Sequence, residues 1–245
     1  MKILAQNVST TEVRTVMMHC TMDNIPFNRA SIDSIIPESN IVPVGSVEFV
    51  SKYMELANIT YPTFDCYPHE LSQYMTRHRY VMYASEALQW GEDCFVKPVK
   101  LKLFNGFIRK RDGQYDEHDQ EQFDILKSNP DELVYVSDIV KFQSEWRYYI
   151  SQNKVMGAGR YDPDGEDDAL VPDQSIVQEA VDIMFKSGFN YYTLDFGVLD
   201  TGETELVEAN DAWAIGLYEK ALTPKVYTEW LANRWKEISK NSLAS

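Results

Sequence analysis

The alternation of apolar and polar residues predicts a β-hairpin near the C-terminus. Two runs rich in β-branched and aromatic residues, 191–198 and 204–210, flank a short Thr-Gly turn, a pattern typical of two antiparallel strands joined by a tight loop. If the Thr-Gly pair forms a two-residue loop, counting back along both strands places Asp195 opposite Glu208. Directly opposed residues have Cβ atoms roughly 4.5–5.5 Å apart, so these two like charges repel each other.

This carboxylate pair is the first candidate for a functional site. Asn210 lies on the same strand face as Glu208, because side chains of a strand alternate with a period of two. Two carboxylates and an amide oxygen on one sheet face suit a hard divalent cation, above all Mg²⁺. The other interpretation is a solvated hairpin face, and a three-residue loop would shift the pairing by one position.

Elsewhere the pattern alternates short strands with amphipathic helices. Predicted strands cover 41–44, which a Gly-Ser turn follows, 94–98, 99–108, 133–138, 145–150 and 155–161. Predicted helices cover 47–56, with Ser46 as the N-cap, 68–79, 172–188 and part of 218–238. The apolar face of the helix over 172–188 carries Ile176, Val177, Ala180, Val181, Met184 and Phe185. The chain is therefore predicted to have an α+β fold.

Three lysines lie close together in the strands that follow residue 94. Lys97, Lys100 and Lys102 fall within six positions of an otherwise acidic chain. An ammonium group in a half-buried strand loses hydration unless an anion accompanies it, so the cluster indicates an anion site. The other interpretation is an edge strand that lysines protect from aggregation, and for Lys100 we prefer this interpretation.

Two arginines are the next candidates. In the strand over 145–150, Glu145, Arg147 and Tyr149 share one face by alternation, and the following strand brings Arg160 back towards them. Arg147 and Arg160 are thus predicted to approach each other across a hairpin, unless one of them pairs with Glu145. Arginine suits the fixed, bidentate recognition of a phosphate or a carboxylate.

Composition narrows the class of protein. Asp and Glu number 38 against 23 Lys and Arg, for a formal net charge of −15, which argues against non-specific binding to nucleic acid or to an anionic membrane. No apolar run approaches the roughly 18–20 residues of a membrane span, and the N-terminus becomes polar too soon for a signal peptide. The three scattered cysteines fit reduced thiols, so we expect a cytoplasmic protein.

The order of these motifs resembles the ATP-grasp superfamily. Within it the chain is similar to the compact, largely phage and bacterial branch named for one arginine and two lysines, which also implies a phage origin as one possibility. The residues that carry the resemblance are Pro43 to Val50, Phe95 to Pro98, Lys102 to Gly106, Ser144 to Arg147, Asp195, and Val207 to Asp211. The resemblance implies a small α/β N-terminal domain over 1–75 and an ATP-grasp domain over 76–245, with lobes of about 76–137 and 138–245.

The resemblance also assigns roles to individual residues. Lys97 and Lys102 would contact the nucleotide phosphates, and Glu145 would bind the ribose. The strand end at Val136, Ser137 and Asp138 would meet the adenine edge, although relatives more often carry Glu at this point. Arg147 and Arg160 would bind the γ-phosphate and an acyl phosphate. Asp195, Glu208 and Asn210 would hold one or two Mg²⁺ ions beside ATP.

The activity that follows is an ATP-dependent ligation of a carboxylate substrate to an amine or thiol acceptor, a small molecule or peptide, through an acyl phosphate. Phosphoryl transfer on the same fold and a catalytically silent nucleotide-binding module are the alternatives. The triplet Asp195-Phe196-Gly197 also occurs in protein kinases, but the His-Arg-Asp catalytic loop and the Gly-rich loop of that family are missing. The sequence leaves the substrates open, because loops build the acceptor pockets.

Overall fold

The computed structural model describes residues 1–100, 103–160, 170–218 and 221–241. The chain forms two compact units. The larger unit comprises Met1–Tyr74 and Gln143–Ser245, and the smaller unit is Met75–Phe142. Residues 1–74 of the predicted N-terminal domain therefore fall in one unit with residues 143–245 of the predicted second lobe, whereas Met75 and 138–142 fall in the smaller unit.

The chain begins with a parallel sheet. Strands β1 (Lys2–Gln6), β2 (Phe27–Ala30) and β3 (Ile41–Val44) pair in the order β2-β1-β3. Helices α1 (Thr11–Met22) and α2 (Val47–Leu56) follow β1 and β3. Helix α1 is the crossover that the parallel strands β1 and β2 need. Both helices pack apolar residues against the sheet.

The turn between β3 and α2 shows why the chain has glycine there. The Ser46 hydroxyl accepts a hydrogen bond from the backbone N–H of Phe49 at 3.3 Å and so caps α2, as predicted. The backbone N–H of Ser46 donates to Gln6 Oε1 at 2.7 Å. A Cβ at Gly45 would lie 2.6 Å from the same Gln6 oxygen, so only glycine allows this tight turn.

The smaller unit is built on an antiparallel sheet. Its strands are β4 (Arg79–Tyr83), β5 (Cys94–Pro98), β6 (Phe107–Arg109) and β7 (Leu133–Ser137), in the order β4-β7-β5-β6. Helices α3 (Ala84–Ala87) and α4 (Glu117–Ser128) belong to the same unit. One face of the sheet packs into a hydrophobic core that includes Val96, Val134, Val136 and Leu126.

The second half of the larger unit carries a four-stranded sheet. Strands β8 (Phe142–Ser151), β9 (Lys154–Arg160), β10 (Tyr191–Leu199) and β11 (Thr204–Asp211) lie in the order β11-β10-β8-β9. Helices α5 (Gln174–Lys186) and α6 (Pro224–Asn241) complete the chain. Tyr192 donates a hydrogen bond to the Val181 carbonyl of α5 at 3.4 Å, and Trp230 of α6 donates to the Ile150 carbonyl at 2.6 Å.

The α+β class is confirmed, and three local predictions are wrong. The region 68–79 is not an α-helix: it holds a 3₁₀ turn at His69–Tyr74 and then enters β4. Of the strand predicted over 99–108, Phe107 and Ile108 lie in β6, Leu103 and Phe104 pack into the core outside any strand, and 101–102 lie outside the described residues. Phe185 lies largely exposed, and the buried residues of α5 are Val177, Ala180, Val181 and Met184.

None of the described helices is both long enough and apolar enough to cross a membrane.

Candidate active site

The hairpin of β10 and β11 brings the predicted carboxylates together. Asp195 pairs with Glu208, as counted from the sequence, but the path between them differs. Leu199 pairs with Glu203 around a three-residue loop, in which Gly202 has a φ of +88°, the left-handed conformation that glycine adopts without strain. The loop shifts the register by one.

A β-bulge next to Asp195 reverses that shift. Phe196 pairs with Leu206 and Asp195 with Glu208, so Val207 is the extra residue of β11. In an unbroken strand Leu206 and Glu208 would face the same side. Because of the bulge, Leu206 packs into the core while Glu208 faces the same side as Asp195.

Asn210 completes the predicted oxygen set. Its Nδ2 donates a hydrogen bond to Glu208 Oε1 at 2.9 Å, so the two side chains lie side by side. Asp195 is 0 % exposed, whereas the Glu208 side chain keeps 22 % of its surface. The described residues contain no cluster of three His, Cys, Asp or Glu side chains fit for a metal ion. Two carboxylates and an amide are nevertheless a hard-oxygen set of the kind that Mg²⁺ prefers, and the remaining positions can be water or substrate oxygens.

Arg147 of β8 forms a buried ion pair with Asp195 that the sequence did not reveal. Its Nε donates to Oδ1 at 2.8 Å and its Nη2 donates to Oδ2 at 2.6 Å. The same Nη2 lies 3.8 Å from Glu208 Oε1. Burial alone would lower the pKa of Arg147, but the charge and hydrogen bonds of Asp195 outweigh it and raise the pKa above its ordinary value. The guanidinium therefore stays charged between two carboxylates.

The segment after β11 covers the Arg147 side chain. The ring of Tyr218 lies with its centroid 5.2 Å from the Arg147 Cζ, in cation–π contact. Tyr149 donates to the Gly216 carbonyl at 2.8 Å and accepts from the backbone N–H of Tyr218 at 3.1 Å. Glu12 of α1 accepts from the backbone N–H of Leu217 at 3.0 Å. These bonds fix the segment against β8 and α1.

Arg160 does not approach Arg147 in the way that the sequence indicated. The register of β8 and β9 places Arg147 opposite Gly159 and Arg160 opposite Trp146. Neighbouring residues of a strand face opposite sides, so the two arginines lie on opposite faces of the sheet. The sequence pattern located both strands, and Ser151 pairs with Lys154 around the turn as predicted, but a β-bulge at Met156, between the pairs Ile150–Val155 and Tyr149–Gly157, shifts the register by one. Glu145 lies half-buried on β8.

Thr193 is a member of this face that sequence reasoning missed. It pairs with Asn210 and lies two residues before Asp195, on the same side of β10. It is 0 % exposed, and its Oγ1 has no hydrogen-bond partner among the described residues. Threonine is common in strands, so the sequence gave no reason to single out Thr193. In the structure, its buried hydroxyl without a hydrogen-bond partner is the feature that marks it.

The predicted phosphate and adenine residues belong to the smaller unit. Lys97 is half-buried on β5, opposite Tyr135 of β7 and on the face away from the core. Lys100 lies beyond the end of β5, 66 % exposed and 3.6 Å from Glu132. Lys102 lies outside the described residues. Of the two described lysines, Lys97 is therefore the one that the sheet holds in place.

The predicted adenine strand is β7. Val136 is buried, and both Val136 and Ser137 pair with β4 on one side and β5 on the other. Asp138 follows the strand, and its Oδ2 accepts bonds from the backbone N–H of His78 at 2.9 Å and lies 2.8 Å from His78 Nδ1. These hydrogen bonds lower the pKa of Asp138. The pairing of β7 with β4 and β5 ends at Ser137, so Asp138 is the first residue of this segment beyond the sheet.

Comparisons with known proteins add the family and the fold. The family described as "ATP-grasp domain, R2K clade family 2" matches residues 73–229, more than half of the chain. A comparison with curated proteins gave no match.

Three solved structures illustrate the likeness in fold. D-cycloserine synthetase DcsG has a TM-score of 0.61 and 13% identity, over 95% of this chain and 99% of that one. The ATP-grasp ligase PsnB, complexed with a minimal precursor, has a TM-score of 0.54 and 12% identity, over 95% and 99%. D-alanine–D-alanine ligase from Bacillus anthracis, complexed with ATP, has a TM-score of 0.52 and 13% identity, over 100% and 99%.

Proposed function

This chain belongs to the ATP-grasp superfamily, in R2K clade family 2, and we propose that it is an ATP-dependent ligase that joins a carboxylate to an amine or thiol. The observation that carries the proposal is the cluster on one face of β10 and β11. Asp195 and Glu208 oppose each other, Asn210 bonds to Glu208, and Arg147 lies between the carboxylates. Such a cluster can place a divalent cation and a guanidinium at one reacting group.

The names of structurally similar proteins support the ligase class. They include a D-cycloserine synthetase, a D-alanine–D-alanine ligase and a ligase complexed with a precursor peptide. These proteins span small-molecule and peptide substrates. For this chain we propose a substrate with a free carboxylate and an acceptor with a nucleophilic nitrogen or sulfur.

The chemistry that we assign to the site is activation of the carboxylate by phosphorylation. A carboxylate is a poor electrophile, and its acyl phosphate offers phosphate as a leaving group for the attacking acceptor. A bound Mg²⁺ would offset negative charge on the transferring phosphoryl group. Asp195, Glu208 and Asn210 would hold the ion. Arg147 would then bind the γ-phosphate and the acyl phosphate through its planar guanidinium.

The remaining residues in this proposal would bind the nucleotide. Lys97 and Lys102 would bind its phosphates, the backbone from Val136 to Asp138 would meet the adenine, and Glu145 would bind the ribose. Arg160 is retained as a second candidate for the phosphoryl group, although its register places it on the other face from Arg147. Unchanged turnover in Arg160→Lys would remove it from the site.

The decisive experiment follows product masses. The protein is incubated with Mg-ATP and a pooled panel of amino acids, peptides and polyamines, with Glu208→Gln as the inactive control. A condensed product together with ADP and phosphate is the expected result. A phosphorylated product would instead mean phosphotransfer on the same site, and no ATP consumption with any acceptor would favour a silent nucleotide-binding module.

Nucleotide binding has a separate test with its own control. Lys97→Ala should weaken ATP binding by about 1.5–3 kcal/mol, the range for hydrogen bonds to charged groups. Lys100→Ala should bind ATP like the wild type, because Lys100 is solvated and faces Glu132. Calorimetry in which Lys100→Ala is the damaging change would contradict this assignment.

A further inference from the structure

The position of the Arg147 guanidinium has a consequence for metal binding. Its Nη2 lies 2.6 Å from Asp195 Oδ2 and 3.8 Å from Glu208 Oε1, so it occupies the space between the two carboxylates. We propose that Arg147 is an internal counter-ion that holds Asp195 and Glu208 before the metal ion binds, and that the ion binds by displacing it. This inference rests on the proposed function for the identity of the ion.

The two cations compete for one place. Asp195 and Glu208 would hold an Mg²⁺ through the carboxylate oxygens that Nη2 now approaches. The two positive charges would also repel each other. Asp195 engages Arg147 through both of its oxygens. The guanidinium therefore has to break at least one of these hydrogen bonds when the ion binds.

The surroundings of Arg147 allow this movement. The Tyr218 ring attracts the guanidinium through a cation–π contact that does not depend on the carboxylates. On the other side, Nη1 lies beside Gly216, where even a Cβ would be 3.7 Å away, an ordinary van der Waals distance, and Glu12 Oε1 would lie 3.4 Å from the same Cβ. Arg147 can leave the carboxylates and keep the Tyr218 contact.

The competition couples the metal to an anionic ligand. Without such a ligand, the ion has to displace Arg147 from its two hydrogen bonds with Asp195, which lowers metal affinity. A phosphate group that accepts Arg147 removes this cost. By linkage, the ion and the phosphate then raise each other's affinity by the same factor.

The test measures Mg²⁺ binding without nucleotide. Arg147→Met removes the competing charge, so it should bind Mg²⁺ at least about fivefold more tightly than the wild type, the lower end of typical coupling factors. Mg²⁺ should also raise the melting temperature of this variant more than that of the wild type. Arg234→Met is the matched control, because it breaks another buried arginine–aspartate pair, that with Asp211. Its response to Mg²⁺ should equal that of the wild type.

Equal or weaker Mg²⁺ binding by Arg147→Met would overturn the proposal, because Arg147 would then merely orient Asp195. Wild-type crystals soaked in Mn²⁺ give a second test that needs no variant. Arg147 Nη2 should move out of hydrogen-bond distance of Asp195 Oδ2. Mn²⁺ and Arg147 bound to Asp195 together would refute displacement. Absence of Mn²⁺ at Glu208, at a concentration well above that which saturates Arg147→Met, would refute both this inference and the metal assignment, while the product masses judge the ligase independently.

A second observation, the unsatisfied hydroxyl of Thr193, carries an independent inference. Asn210 Nδ2 is bonded to Glu208 Oε1, an arrangement that competes with the metal for that oxygen. We infer that Thr193 is a positioning residue, whose Oγ1 accepts the hydrogen bond of Asn210 Nδ2 once Asn210 and Glu208 turn their oxygens to the ion. Thr193 pairs directly with Asn210, so the two side chains lie about 4.5–5.5 Å apart at Cβ.

Thr193→Val tests this role, because valine keeps the shape and removes the hydroxyl. Mg²⁺ affinity should fall about tenfold, as for other residues that orient a metal ligand. Stability without metal should be unchanged or higher, since a buried unsatisfied group is removed. Thr193→Ser should restore the affinity. Thr204→Val is the control, because the Thr204 hydroxyl accepts from the backbone N–H of Asp173 at 2.8 Å; it should lose stability and keep its Mg²⁺ affinity. Wild-type Mg²⁺ affinity in Thr193→Val would refute the inference.

Discussion

Two arginine–aspartate pairs with buried aspartate side chains lie in the larger unit and differ in what surrounds them. Arg147 binds Asp195 with contacts of 2.8 and 2.6 Å, and Arg234 of α6 binds Asp211 with contacts of 2.7 and 2.5 Å. Their geometry is nearly the same. The Arg234 pair continues into Glu237, which bonds to Arg234 at 3.1 Å and to Asn190 at 2.9 Å. The Arg147 pair faces Glu208 and Asn210.

The difference teaches that the neighbours of an ion pair, more than its own geometry, indicate its role. Arg234 serves two carboxylates within hydrogen-bond distance and thereby fixes α6 to β11. Burial still raises the pKa of Asp211 despite Arg234, so desolvation offsets part of the attraction. Arg147 reaches Glu208 only at 3.8 Å. Asp195, Glu208 and Arg147 together sum to a charge of −1, which favours a further cation.

The largest expected effect is on stability. Arg234→Met should lower the free energy of unfolding by about 3–5 kcal/mol, because it leaves Asp211 as an uncompensated buried charge. Arg147→Met should cost a similar amount in the presence of a chelator, since Asp195 is at least as buried. Urea unfolding measures both. A loss below about 1 kcal/mol for Arg234→Met would mean that this pair does not hold α6 in place.

The next effect separates the two pairs by activity. Glu208→Gln should lower turnover at least about 100-fold, because the change removes the charge of a metal ligand and keeps its shape; partners of metal ligands alone cost 10–100-fold. Glu237→Gln makes the same change beside Arg234 and should leave turnover close to the wild type. Steady-state ATP consumption with the substrate found by mass measures both. Equal losses would abolish the distinction between the pairs.

A smaller effect concerns the aromatic ring on Arg147. Tyr218→Leu should lower the free energy of unfolding by about 0.5–2 kcal/mol, the range of cation–π contacts. Tyr218→Phe keeps the ring and should keep most of that energy. If chemical denaturation shows the same loss for both variants, the hydroxyl and not the ring is responsible.

The smallest effect comes from an exposed pair that sets the lower limit of the comparison. Asp138 is 54 % exposed beside His78, so Asp138→Asn should cost at most about 1 kcal/mol. The pKa of Asp138 is lowered by the hydrogen bonds of His78, so its stabilisation is present above the ordinary aspartate pKa and is lost as pH falls through the lowered value. The unfolding free energies of wild type and variant should converge below about pH 4. A difference that grows towards low pH would contradict this sign.

The sequence predicted the parts of the site that depend on local pattern. Asp195 and Glu208 face each other as counted, and the N-cap at Ser46 and the helix α5 are where the pattern predicted them. The count reached the right pair through two cancelling deviations, the three-residue loop and the bulge. The hydrophobic periodicity of the sequence reveals neither the loop nor the bulge, because both depend on the backbone conformation of single residues.

Contacts between distant segments could not be predicted. The Arg147–Asp195 pair joins residues 48 positions apart, and only the order of strands β10 and β8 places them side by side. The expected approach of Arg160 was wrong because a one-residue change of register moves a side chain to the other face. The role of Thr193 depends on a hydroxyl left without a partner, which only atomic positions reveal.

The bulge at Val207 makes the tip of the hairpin a practical place for protein engineering. The residues between the bulge and the tip pair in one register, and Asp195 and Glu208 pair in another. A structural change at the tip should therefore not alter the pairing of Asp195 with Glu208. Residues 200–202 are exposed, and exposed loop tips tolerate insertions best. A fluorescent reporter or a short epitope inserted after Thr201 should therefore leave the carboxylate pair in place and follow its dynamics from outside.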